Sequence, residues 1–377
     1  MNDMPRTNST TTTKSKTSNQ SKNDKPVVLI MAGGKGERFW PRSTITVPKQ
    51  LQKIYSNKTL LQETIDRAKS ITSADRIFIG CNATLQKAII KTHRISAKNF
   101  IVEPEGKNTA AIIALAALHF EKKFPNSVHV ILSADHFIEP LHLFQETMEL
   151  AVRLAKQDRL VTCGIRPTRP DTGYGYIQPS KTKIGIGFPI EKFHEKPAPK
   201  LAQKYVKKGY LWNSGIFVWR GAMILDEFRN HAADIIGPLE SCFNKPKELA
   251  VAFQTIPELP IDIAIMERSK KSSVIPALFQ WDDVGSWLAL ERIHSGETTA
   301  ADKNNVFTGG VYRILLDSDN NIIVPNSKRL IALLGVNDMI YVETETAVLL
   351  AAKDSIDDIK QLMGQLKENP ALHRFLK

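Results

Sequence analysis

Val27-Val28-Leu29-Ile30-Met31-Ala32-Gly33-Gly34-Lys35-Gly36-Glu37-Arg38 is an apolar run that breaks into three glycines and then a fixed cation. The apolar part, Val27 to Ala32, reads as a strand buried on both faces, the kind found in parallel sheets. Glycines at its carboxyl end let the chain turn sharply and bring backbone N–H groups close to an anion. Arg38 adds a planar fork of donors suited to phosphate. Lys49, in Pro48-Lys49-Gln50, places a second cation in a following loop. Two cations and a glycine cradle suggest a polyphosphate gripped at the carboxyl end of a strand.

The glycines alone decide little, since a tight strand-to-helix turn without a ligand uses them too. No Gly-Lys-Ser or Gly-Lys-Thr follows, which excludes a P-loop. Counted as a dinucleotide fingerprint, Gly34 and Gly36 are followed by Phe39 where a third glycine belongs. That mismatch disfavours a nicotinamide-dependent oxidoreductase.

Outward from this strand the pattern alternates. Strands are expected at Arg76–Cys81, Val128–Leu132 and Leu160–Ile165, with helices at Leu60–Ala68, Ala83–His93, Asn108–Phe124 and Phe144–Lys156 between them. Asn108 or Thr109 is the expected cap of the third helix. This implies an α/β fold: a Rossmann-like, mixed but mostly parallel sheet with helices on both faces, binding ligands at the strands' carboxyl ends. From about residue 300 short apolar strands separated by Gly, Asn and Asp take over, without a convincing internal repeat. An amphipathic helix follows at 354–366. The expected organisation is a disordered tail over 1–26, a catalytic domain over 27–299, and a small β-rich C-terminal domain ending in a helix over 300–377.

Hydrophobic residues make up 42% and charged residues 24% of the 377, a balance that permits a sizeable core. The longest apolar stretch, Ala110 to Leu118, is too short to span a bilayer and suits a buried helix face. Cys81, Cys163 and Cys242 share no close spacing. Neither a disulfide framework nor a zinc site is expected, and a reducing, cytoplasmic setting is. Residues 1–26 have almost no apolar content and nothing resembling a secretory signal. The net charge of +12 could serve nucleic acid. Without an aromatic-rich basic motif it better suits phosphorylated metabolites, so neither nucleic acid nor membrane is an expected partner.

Two acids complete the pattern. Asp135 follows the apolar run Val128 to Ala134, and Asp283 lies in Trp281-Asp282-Asp283-Val284-Gly285. Alone, either acid could cap a turn or helix. Converging beside phosphates they would hold Mg²⁺, which takes hard oxygen ligands. Lys107, Asn108 and Thr109 stand at a helix start, either as a capping sequence or as a wall of the nucleotide pocket. Gly175, Glu195, Lys196 and Asn213 sit in turns or at strand ends, as ordinary surface features or as a sugar-binding wall. His136 and His194 are assigned no catalytic role, since no nucleophile motif accompanies them.

In order, the pieces Ala32 to Ser43, Pro48-Lys49-Gln50, Gly106-Lys107-Asn108-Thr109-Ala110, Ser133-Ala134-Asp135-His136, Gly173 to Ile177, Glu195-Lys196-Pro197, Asn213 to Phe217 and Asp283 to Trp287 resemble the sugar-phosphate nucleotidyltransferases. Among these they are most similar to the mannose-1-phosphate guanylyltransferase family. The resemblance implies transfer of GMP from GTP to mannose 1-phosphate, with Mg²⁺ as cofactor. Arg38 and Lys49 would be catalytic, and Asp135 and Asp283 would hold the metal. Ala32, Gly33, Gly34, Gly36, Lys107, Asn108 and Thr109 would line the nucleotide. Gly175, Glu195, Lys196 and Asn213 would take the sugar. It also implies a homodimer formed through the β-rich end. The alternative is another hexose-1-phosphate nucleotidyltransferase, using UTP or dTTP with glucose 1-phosphate. Three positions depart from the family pattern: Val47, the extra acid Asp282, and Arg268 where lysine is usual.

Overall fold

The structure is a computed structural model that describes residues 25–34, 36–294, 304–309, 311–326 and 328–376. All but the end of the expected tail lies outside these residues. The strands of the first part are β1 (Val27–Met31), β2 (Ile77–Asn82), β3 (Phe100–Glu103), β4 (Val128–Ser133), β5 (Phe137–Glu139), β6 (Leu160–Ile165), β7 (Tyr176–Pro179), β8 (Phe188–His194), β9 (Leu211–Arg220), β10 (Ser272–Pro276) and β11 (Gln280–Asp282). Nine of them form one sheet in the order β3-β2-β1-β4-β9-β6-β10-β8-β7. β1 is central and runs parallel to β2 and β4. β9 lies antiparallel between β4 and β6, joining the strands β1 to β4 to the rest. β5 and β11 make a separate antiparallel pair.

Alternation along β1 divides the core. Val28 and Ile30 point into one apolar cluster, Val27 and Leu29 into another. The first cluster takes helices α1 (Leu60–Lys69), α2 (Ala83–His93) and the helix Leu141–Ala155, through residues such as Leu61, Leu85 and Phe144. The second holds α3 (Asn108–Lys123), whose residues Ala110 to Leu118 are all buried, so the apolar run is a core helix. The expected cap of α3 is corrected. Lys107 precedes the helix without a side-chain cap bond, and Asn108 itself has φ 62°, its Oδ1 accepting from the N–H of Thr109 at 2.9 Å.

The C-terminal part corrects the expectation of no repeat. β12 (Val306–Phe307), β14 (Ile322–Val324) and β16 (Met339–Glu343) stack in parallel, and β13 (Arg313–Leu316) stacks on β15 (Ile331–Leu334). Val306, Ile322 and Ile340 fall in register, as do Leu315 and Leu333. These are successive coils of a β-helix, closed by the antiparallel β17 (Val348–Ala352). Strands this short, in coils of unequal length, leave no fixed period for sequence reading to find. Asn305 and Asn321 form a buried rung: Asn305 Oδ1 accepts from the N–H and Nδ2 of Asn321. The apolar stretch 306–316 holds two strands, β12 and β13, with Gly309 at φ 76° between them.

A third apolar cluster joins the parts. Phe39 and Trp40 from the glycine loop, Trp287, Val306, Ile322 and Ile340 pack with Met363 and Leu366 of the terminal helix Ile359–Glu368. Trp40 Nε1 donates to the carbonyl of Phe375 at 3.0 Å, and Arg42 Nη2 to that of Pro325 at 2.8 Å.

Candidate active site

Two cavities open at the carboxyl ends of β1 and β4. The larger, about 570 Å³, is lined by Gly36, Arg38, Lys49, Asp135 and Asp283, and by Lys360 from the terminal helix. The smaller, about 260 Å³, is lined by Gly175, Glu195, Lys196, Asn213, Thr109 and Asp262. Ser133, His136 and Asp283 belong to both, so the cavities share a wall.

Lys49 ties the larger cavity together. Its Nζ donates to Asp135 Oδ2 at 2.7 Å and to the backbone carbonyl of Asp283 at 3.0 Å. Ser133 Oγ donates to the other Asp135 oxygen at 2.6 Å. Burial alone would raise the Asp135 pKa. The charges of Lys49 and His136 and the two hydrogen bonds outweigh it and pull the carboxyl down to about 2. Gly36 has φ 63°, and a Cβ there would meet Lys49 N at 2.9 Å and Ser43 Oγ at 2.8 Å. Only glycine lets the loop seat this lysine.

Asp283 is held from the other side. Tyr174 Oη donates to Asp283 Oδ1 at 2.7 Å and accepts from Arg169 Nη2 at 3.2 Å. Burial and the Asp283 charge push the tyrosine hydroxyl far above its ordinary range, so it stays a proton donor. Asp282, the extra acid, is structural: it is buried and takes a two-pronged contact from Arg292 at 2.6 and 2.9 Å.

In the smaller cavity Gly175, Glu195 and Asn213 converge. A Cβ at Gly175 would lie 2.7 Å from Glu195 Oε2, and the N–H of Asn213 donates to the Gly175 carbonyl at 2.8 Å. Asn213 Oδ1 accepts from Thr162 Oγ1 at 2.9 Å, and its Nδ2 donates to Asp262 Oδ1 at 2.7 Å. This fixes which way the amide points. Asp262 is driven up to about 7, first by burial and then by the charge of Glu195. Lys196 stays exposed, 3.6 Å from Glu195 Oε1.

Of the other sequence candidates, all but Thr109 stand apart from the two linings. Ala32 is buried, its N–H donating to the Gly80 carbonyl at 2.8 Å. Gly33 and Gly34 are exposed, and a Cβ on either would meet no protein atom within 4 Å. Lys107 lies 3.8 Å from Glu105 Oε2, and Asn108 is exposed. Thr109 reaches the smaller cavity, where its Oγ1 accepts from the N–H of Ile261 at 2.8 Å. Arg268 donates to the His231 carbonyl at 2.6 Å and lines neither cavity. Val47, the remaining departure, is exposed and also lines neither.

Sequence reading missed Tyr174 as a partner of Asp283, and it missed Asp262 and Lys360. The glycines around Tyr174 mark a close turn but not the hydroxyl's target. Asp262 sits in an apolar run that hides it.

A family model described as nucleotidyl transferase matches residues 27–300, and one described as a mannose-phosphate isomerase/GMP-like β-helix domain matches 312–366. Mannose-1-phosphate guanylyltransferase of Escherichia coli strain K12 is 35% identical over 90% of this chain and 73% of its own length. Alginate biosynthesis protein AlgA of Pseudomonas aeruginosa is 31% identical over 90% and 72%. A crystal structure described as a mannose-1-phosphate geranyltransferase from Thermus thermophilus superposes with a TM-score of 0.83 at 30% identity, covering 91% of this chain and 99% of that one. The paired cavities, the lysine between two acids and the β-helix thus occur in a chain that belongs to the mannose-1-phosphate guanylyltransferase family of nucleotidyltransferases.

Proposed function

We propose that the chain transfers GMP from GTP to α-D-mannose 1-phosphate, giving GDP-mannose and pyrophosphate. The observation that carries this is Lys49, bound at once to Asp135 and to the backbone of Asp283, in a cavity that shares Ser133, His136 and Asp283 with a second one rimmed by sugar-type acceptors. The sugar phosphate oxygen attacks the α-phosphorus in line and pyrophosphate leaves, so catalysis is positioning and charge neutralisation. Arg38 and Lys49 neutralise the phosphates. The glycine loop, with Lys107, Asn108 and Thr109, takes the base and triphosphate. Glu195 and Asn213 accept and donate to sugar hydroxyls beside Gly175 and Lys196.

Asp135 and Asp283 suit Mg²⁺. Among the described residues no cluster of three metal-binding side chains exists. The ion would therefore rest on two carboxylates and the substrate's phosphates, the usual arrangement for Mg²⁺. Both acids keep lone pairs to spare after their hydrogen bonds. Bound there, Mg²⁺ supplies Lewis-acid neutralisation of the phosphates.

We take residues 27–299 as the catalytic domain and 300–377 as the β-helical one, and the assembly as a homodimer. Its support is the β13–β15 face, where Ile314 is 59%, Leu316 57% and Leu334 71% exposed. No helix among the described residues is long and apolar enough to cross a membrane.

The test is pyrophosphate release across a panel of nucleotides and sugar phosphates. GTP with mannose 1-phosphate should exceed glucose 1-phosphate by at least about tenfold in kcat/KM, since a pocket that bonds the axial hydroxyl leaves polar groups unpaired with the epimer. Faster turnover with UTP or dTTP and glucose 1-phosphate would overturn the reading.

A further inference from the structure

We propose that Lys360, carried by the C-terminal helix, is an active-site cation that binds the pyrophosphate portion of the nucleotide. The inference rests on the nucleotidyl-transfer reading above. Its starting point is the larger cavity, whose lining is otherwise drawn from residues 36–285 and to which the terminal helix adds Lys360 alone.

The helix is held in place for this. Lys367 Nζ pairs with Glu37 Oε1 at 2.8 Å, so the helix grips the glycine loop itself. Met363 and Leu366 are buried in the cluster with Phe39, Trp40 and Trp287. Beyond the helix, the N–H of Ile45 donates to the carbonyl of Leu376 at 2.9 Å. Lys360 and Lys367 are seven residues apart, roughly two turns, so they share one face. The face that locks onto Glu37 at one end therefore presents Lys360 to the cavity at the other.

The cavity lining holds three basic chains, Arg38, Lys49 and Lys360, against three acids, Glu37, Asp135 and Asp283, of which Glu37 is paired with Lys367. Lys49 is committed to Asp135. The Lys360 side chain makes no hydrogen bond or ion pair with the other described residues, although its helix is well packed. A long, exposed side chain with three ammonium donors on the cavity lining suits the compact charge of a leaving pyrophosphate.

The test uses the full chain with Lys360→Gln and Lys360→Arg. Isothermal titration with pyrophosphate and Mg²⁺ reads anion binding without turnover. Steady-state assays in the pyrophosphorolysis direction read KM separately for pyrophosphate and for GDP-mannose. Lys360→Gln should raise the KM and Kd for pyrophosphate by about tenfold or more, leave the KM for GDP-mannose within about twofold, and keep the wild-type melting temperature. Lys360→Arg should restore most of the affinity. Wild-type pyrophosphate affinity in Lys360→Gln overturns the inference, whether or not the enzyme turns over. A wild type that binds pyrophosphate but forms no GDP-mannose overturns the function reading instead. In that case, weakened binding in Lys360→Gln still supports the anion site.

Discussion

Replacing Tyr174 by Phe removes the hydroxyl that links Asp283 to Arg169 at the centre of the site. The ring stays wedged edge-on between Trp212 and Trp281, with centroids 4.9 and 5.2 Å away. What goes is the 2.7 Å bond from the hydroxyl to Asp283 Oδ1, together with the longer 3.2 Å bond that the hydroxyl accepts from Arg169 Nη2; the first acts on Asp283 directly. A hydrogen bond to a charged group contributes about 1.5–3 kcal/mol. If that bond holds Asp283 in its working orientation, the same amount appears as lost transition-state stabilisation. At about 1.4 kcal/mol per decade, kcat/KM should fall roughly 10- to 150-fold. The loss should come with a raised Mg²⁺ requirement, because the carboxylate then has to be ordered by the ion. The assay is pyrophosphate release titrated with Mg²⁺, with thermal unfolding alongside to show that the ring still packs. Unchanged kcat/KM at every Mg²⁺ concentration would refute the positioning argument.

Asp135→Asn and Asp283→Asn should each cost at least about a hundredfold in turnover, about 3 kcal/mol, with circular dichroism unchanged; near-wild-type rates in Mg²⁺ for either variant would remove the metal assignment. Trp287 is fully buried, packs against Phe39 at 4.9 Å and donates to the Trp40 carbonyl at 3.3 Å. Trp287→Ala should therefore lose about 3–5 kcal/mol in urea unfolding, and a loss under about 1 kcal/mol would mean that the loop and the β-helix do not depend on this cluster. Asp262 has its pKa raised to about 7, so the native state holds that proton more tightly than the unfolded chain does. Its contribution to stability is full below the ordinary carboxylate pKa, declines as pH rises to about 7, and is flat above. Asp262→Asn should remove this part of the slope in melting temperature between pH 4 and 8, and an identical slope in both proteins would show that Asp262 does not titrate there.

The sheet and one side of the site were readable because local patterns specify them. Six apolar residues ending in glycine identify β1, and Asp135 follows β4 as an acid follows a strand at a crevice. Asp283 could be picked out beside its glycine. Tyr174 could not be assigned, because its hydroxyl meets a carboxylate 109 positions along the chain and no spacing rule connects them. Lys360 was hidden for the same reason, since on a helix one exposed lysine reads like another until packing fixes the face. Asp262 lay inside Ile261 to Met266, where the apolar neighbours suggest only core. The β-helix escaped because its rungs are two to five residues long and its register is set by stacking, not by alternation along any one strand.

The antiparallel β9 has a consequence for synthesis. Strands β1 to β4 and their helices are complete once Ser133 has emerged, yet the next neighbour of β4 begins only at Leu211. Until then β4, with Val128 to Leu132 all buried in the finished protein, presents an open apolar edge. At roughly 5–20 residues per second the ribosome leaves that edge uncovered for about 4–16 seconds. Premature pairing with a second nascent chain at this edge is therefore the expected route to misfolding, and a pause in translation between β6 and β9 should raise the insoluble fraction more than a pause placed after Arg220.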